Sequence, residues 1–109
     1  MESDLITAAR ALAERGWLPD LWIDSADRLA FRLFDPSVKS ATEADLHLAA
    51  HREIVRRGWK YCVGQVTLTV FVSEHTSPLA VEDGTTTLSL LRALLAACEA
   101  AESKEKNDG

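Results

Sequence analysis

Glycine and proline are scarce: 5 and 3 among 109 residues. No G-x-G-x-x-G run, P-loop or G-x-S-x-G elbow occurs, so the glycine-built phosphate cradles and the strained serine turn are excluded. Cysteine is limited to Cys62 and Cys98, too far apart in sequence for a close-spaced metal or redox motif. Both are expected to be reduced, buried thiols. No apolar run approaches the ~20 residues that span a bilayer. The opening "MESDLITAAR" is acidic and lacks a basic flank before an apolar run, so it does not read as a secretion signal. The expected location is the cytoplasm, in a bacterium or in a virus-infected cell. Positive charge is also in deficit. Twelve Lys and Arg against 17 Asp and Glu leave a formal charge of −5, which argues against a general nucleic-acid binder, because phosphate contacts need a basic face.

What remains is the composition of one globular domain, 47% apolar and 27% charged. Leu5, Ala8, Ala9 and Leu12 recur at helical spacing after Ser3 or Asp4, either of which can cap a helix. Gly16 stands where a left-handed helix cap wants glycine, and Pro19 prevents return to the helix. In "DLWIDSADRLAFRLFD", Trp22, Ile23, Leu29, Phe31 and Leu33 suit strands around a turn at "DSAD", which predicts a β-hairpin. A second helix is expected over about 42–57, with Ala44, Leu48, Ile54 and Val55 inward and Arg52, Glu53 and Arg56 outward. "KYCVGQVTLTVFVSE" is the strongest strand signal, with a tight turn or a bulge at Gly64-Gln65. A loop follows to a turn at Asp83-Gly84. The closing helix starts at Thr85, Thr86 or Thr87, with Leu88, Leu91, Leu94, Leu95 and Cys98 inward. The expected fold is α+β in the order α-β-β-α-β-β-α, an antiparallel sheet packed with helices in two or three layers. It forms a single domain over 1–102 with a frayed tail over 103–109.

The triplet "RGW" occurs at 15–17 and again at 57–59, each time after an alanine-rich helix and before a strand-like stretch. The arginine suits the carbonyl end of the helix, the glycine the cap, and the tryptophan the seam between helix and sheet. The repeat reads as one local structural solution used twice.

Chemistry-bearing constellations are few. His47 and His51 stand four apart on a helix, as a two-histidine metal site requires, with Glu43 one turn earlier. A third ligand would have to come from His75, Cys62, Cys98 or an acid, and no H-E-x-x-H pattern is present. Structural histidines bonded to a carbonyl or carboxylate are therefore expected, with no metal and no cofactor. "SEHTS" at 73–77 gathers serine, glutamate, histidine and threonine, but a triad is defined in space and rarely by adjacency, so a polar loop is expected. Arg52, Arg56, Arg57 and Lys60 form one basic cluster, readable as dipole complement or as an anion contact. The helix–strand–helix order loosely parallels a double-stranded-RNA-binding domain, but the third helix lacks that fold's lysine-rich start. Asp20, Asp24, Asp27, Glu82 and Asp83, with Trp22 among them, are the candidates for an acidic face that meets a basic site on another protein.

"ATEADLHLAAHREIVRRGW", the strand "VTLTVFV" and the closing "TTTLSLLRALLAACEA" together resemble a family of small bacteriophage proteins, the phage ABA sandwich domain, over about Ala41 to Ala101. The resemblance implies a phage or prophage origin and a helix–sheet sandwich. It supplies no catalytic residues to carry over. The functional expectation is a phage accessory protein without catalysis, acting by protein–protein binding, for instance on a host defence (CRISPR-type) nucleoprotein complex. The alternatives are a metal-dependent or hydrolytic enzyme using His47, His51 and His75, and a structural oligomer or virion assembly component. An uncovered sheet face or edge would bind a partner or a second copy.

Overall fold

The repeated triplet shows most directly how sequence becomes structure here. In the computed structural model, which describes residues 4–23, 25–72 and 77–108 (side chains to 103), Gly16 and Gly58 have φ of 71° and 76°. The Gly16 N–H donates to the Ala13 carbonyl at 3.1 Å and the Trp17 N–H to the Leu12 carbonyl at 3.0 Å. Gly58 and Trp59 repeat this on Val55 and Ile54, both at 3.0 Å. This pair of bonds is the Schellman motif, which satisfies the last carbonyls of a helix. Arg15 then stacks 4.9 Å from the Trp17 ring and Arg57 5.0 Å from the Trp59 ring. Both indoles are partly buried against the core. Each triplet is thus one cap: arginine directly after the last helical residue, glycine in the left-handed region, and tryptophan closing the seam. Replacing Gly16 or Gly58 by alanine meets no atom within 4 Å, so the expected cost is conformational alone, about 1–2 kcal/mol each. Urea denaturation of the single variants measures it.

The caps end α1 (Asp4–Glu14) and α3 (Lys39–Arg56). Between them lies α2 (Ala26–Phe34), where the sequence reading placed a hairpin. The correction has a physical reason. Ser25, read as part of a turn, is the N-cap: its Oγ accepts from the Arg28 N–H at 3.1 Å. Leu29 and Leu33, one turn apart, are the residues of this segment that reach the core, whereas the strand reading needed Phe31 and Leu33 on one face. The Asp35 N–H closes the helix on the Phe31 carbonyl, and Pro36 prevents its extension. Asp35 also accepts from the Ser37 N–H at 3.0 Å and the Ser37 hydroxyl at 2.8 Å, which hold its carboxyl below the ordinary value.

The sheet is β1 (Lys60–Val63), β2 (Thr67–Phe71) and β3 (Ala80–Asp83), antiparallel in the order β1-β2-β3. Gly64-Gln65 lies in the turn between β1 and β2, where the Gly64 N–H donates to the Thr67 carbonyl at 2.8 Å. β3 lies in a stretch whose composition predicts a loop; its "AVED" is rich in weak strand formers and pairs only as an edge, with Val70 opposite Ala80 and Leu68 opposite Glu82. α4 (Thr87–Asp108) continues helically through the stretch assigned to a tail. The observed order is therefore α-α-α-β-β-β-α, an α+β fold with a three-stranded antiparallel sheet packed with helices.

α4 packs against α1, α3, β2 and β3. Leu68, Val70 and Ala80 enter from one face of the sheet the same core that Leu90, Leu91, Leu94 and Cys98 of α4 join. Cys62, Thr69 and Val81 share the opposite face by register, and Cys62 and Val81 are exposed there, so one sheet face stays open. Among the described residues no helix is long and apolar enough to cross a membrane.

Candidate interaction face

α3 is apolar on two sides. Leu46, Ala49, Ala50 and Ile54 are buried, together with Thr42 and Glu53. At 3.6 residues per turn, Ala44, Leu48 and Val55 fall on the opposite side, and all three are exposed, Leu48 by 46% and Val55 by 58%. The sequence reading put Ala44, Leu48 and Val55 inward and Glu53 outward; the structure reverses these four and keeps Ile54 inside. Glu53 is buried because cations one turn on reach it: Oε1 accepts from Arg56 Nη1 at 2.9 Å and Oε2 from Arg57 Nε at 3.3 Å.

The chain after α1 runs along this helix. Asp20 pairs with Arg56 at 2.6 Å, and the Trp22 indole N–H donates to Asp45 Oδ2 at 2.9 Å. Asp20, Leu48, His51, Arg52, Val55 and Arg56 line one shallow depression. Residues considered separately in the sequence, the acidic partner candidates Asp20 and Trp22 and the basic candidates Arg52 and Arg56, therefore share one surface. Trp22 also joins this surface to α2: the Arg32 guanidinium lies 4.6 Å from its ring while Arg32 Nε donates to the buried Thr42 Oγ1 at 3.2 Å.

On α2 itself, Phe31 and Phe34 stand one turn apart on the side away from Leu29 and Leu33, 68% and 80% exposed. Trp22 is 59% exposed. Three of the chain's seven aromatic residues thus face solvent, all from 22–34. Aromatic side chains carry the largest gain from burial, so their concentration outside the core is the unusual feature of this surface. The strand reading hid Phe31 by placing it inward. The pairing of Leu29 with Leu33 at helical spacing was the signal that could have freed it.

The remaining candidates lie elsewhere. Asp27, in the first turn of α2, lies 3.5 Å from Arg10 of α1. Glu82 and Asp83 sit on β3 and Lys60 begins β1; none of the three reaches the α3 face by any described contact. Asp24 and His75, and with His75 most of "SEHTS", lie outside the described residues. His51 Nδ1 is 2.8 Å from the Tyr61 hydroxyl, with the rings edge to face, and His47 Nδ1 is 3.5 Å from Thr87 Oγ1. Both histidines are exposed and each meets a hydroxyl, where a carbonyl or carboxylate was expected. Among the described residues no group of three His, Cys, Asp or Glu side chains is placed to hold a metal ion.

Arg57 lines a different surface, together with Arg15 and Trp17 of the first triplet. Arg15, Trp17, Arg57, Cys98, Glu99 and Glu102 line an open polar cavity, across which Arg15 pairs with Glu99 at 3.1 Å. Cys98 is 1% exposed, and burial pushes its thiol up to about 11 from 9.0. Cys62, expected to be buried, is exposed. Alkylation with iodoacetamide near pH 8 is expected to modify Cys62 rapidly and Cys98 only after denaturation, as mass spectrometry will read. The Cys98 shift also has a sign for stability. The folded chain holds the thiol proton more tightly than the unfolded chain, so this contribution is complete below pH 9.0 and is lost as pH rises toward 11. The stability advantage of the native chain over Cys98→Ala should shrink across that window.

No family model, curated protein or solved structure matches this chain.

Proposed function

We propose that the chain is a non-catalytic protein-binding module whose contact surface is built on Trp22, Phe31 and Phe34. The observation that carries this reading is the exposure of those three aromatics within one short segment, two of them on a helix whose leucines are buried. Aromatic anchors on a rigid helix face are the residues that dominate protein interfaces. The formal charge of −5 favours a partner with a basic surface, since complementary fields speed encounter and exclude wrong partners. A host defence nucleoprotein complex, with its basic nucleic-acid channel, is the narrower form of this reading. It draws on small size, acidity and the resemblance to phage proteins.

A photoreactive amino acid placed at 31 or 34 tests it. In lysate of the source cell, or with a purified defence complex, these positions should give a discrete cross-linked product that unlabelled protein competes away. The same probe at Arg92, exposed on α4, should give none. Equal labelling from 31, 34 and 92, or none from any, would end the reading.

A further inference from the structure

We propose that the outer face of α3 is covered by a second copy of this chain, the two helices antiparallel across a two-fold axis beside Leu48. This occupant is distinct from the partner assigned to α2, and its case rests on the pattern of sizes and charges along one helix face.

Ala41, Ala44, Leu48 and Val55 form the exposed apolar row. An antiparallel two-fold between residues 48 and 49 lays Leu48 on Leu48 of the other copy. It also brings Val55, beyond the axis, over Ala41 and Ala44 of the other copy, so that a large residue meets two small ones. Such interdigitation of large and small side chains is what close packing between helices requires. A two-fold interface is self-complementary, each pair occurring twice.

The charges follow the same axis. Asp45 and Arg52 lie on one flank of the row, seven residues or two turns apart, about 10 Å along the helix. Their midpoint is again between 48 and 49. In this geometry like flanks meet, so Asp45 faces Arg52 of the other copy and Arg52 faces its Asp45. Asp45 commits Oδ2 to Trp22 and keeps Oδ1 for the guanidinium. Arg52 makes no ion pair among the described residues. Asp20 and Arg56 already neutralise each other at 2.6 Å, so they add no net repulsion although the chain carries −5 overall.

Light scattering or sedimentation from micromolar to millimolar protein reads the inference. The mass should rise from the 12.0 kDa of one chain toward twice that value. Leu48→Asp, at a position 46% exposed, should keep its helical circular dichroism and weaken the dimer about a hundredfold, since one substitution acts on both sides of the contact. Asp45→Arg and Arg52→Asp should each weaken it about tenfold, and the double variant should recover most of the loss. A single-chain mass throughout, a dimer indifferent to Leu48→Asp, or a double variant weaker than both singles would overturn it. Should Leu48→Asp unfold, the charge exchange decides alone. Cross-linking from 31 and 34 should persist in Arg52→Asp, so failure of either proposal is seen apart from the other.

Discussion

Leu94→Ala is expected to lower the unfolding free energy by about 3 kcal/mol and the melting temperature by roughly 15 °C. Leu94 is fully buried, in the part of α4 that also buries Leu90, Leu91, Ala97 and Cys98. α4 is the element that touches α1, α3 and two strands, so a cavity there opens under both layers and no single neighbour can close it. The loss combines the transfer of the deleted atoms with contacts that the surrounding groups cannot remake. For a domain whose whole stability is about 5–15 kcal/mol, this is a large fraction. Thermal and urea unfolding of the two proteins, with the urea slope unchanged, would measure it. A loss below about 1 kcal/mol would mean that α4 does not form the centre of the core.

Arg57→Ala is expected to cost about 2 kcal/mol. Its guanidinium bonds Glu53, a carboxylate whose side chain is 7% exposed, and stacks on Trp59. Removing one partner of a buried pair leaves the other under-compensated. The penalty stays below that of a wholly buried pair, because Arg56 still reaches Glu53 and because Arg57 itself is partly exposed, 29% by side chain. A double-mutant cycle separates the two contributions. In a Glu53→Leu background, where no buried charge remains, Arg57→Ala should cost only its stacking contact, about 0.5–1 kcal/mol. Equal costs in both backgrounds would show that Arg57 acts through Trp59 and not through Glu53.

The parts of the fold legible in the sequence were those with a local cause. The two glycine caps follow from the "RGW" triplets, and β2 from its run of valine and threonine. The start of α4 follows from its threonines, and Leu12, Leu91 and Leu94 from helical spacing. What was missed depends on the packing of distant elements. α2 contains only a short alternation of apolar residues, which a strand also shows; its helicity rests on the Ser25 cap and on room for Leu29 and Leu33 against α1 and α3. β3 pairs in spite of its composition, because β2 offers an open edge. α3 has two apolar sides, so periodicity alone does not say which is buried. The choice is made by α2 and α4, which pack on the Leu46 side, and by arginines that let Glu53 go inside. For the same reason Trp22, Asp20, Arg52 and Arg56 could be named from the sequence but not assembled: they meet only because the segment after α1 runs beside α3.

The premise shared by these proposals is that Phe31, Phe34 and Leu48 lie outside the core. Urea unfolding of the triple variant Phe31→Ser/Phe34→Ser/Leu48→Ser, at a protein concentration low enough to keep the chain single, tests that premise most directly. The expected result is an unfolding free energy within about 1 kcal/mol of the native chain, as for substitutions of solvent-facing side chains. A loss of several kcal/mol, on the scale expected for Leu94→Ala, would place these residues inside the fold and contradict it.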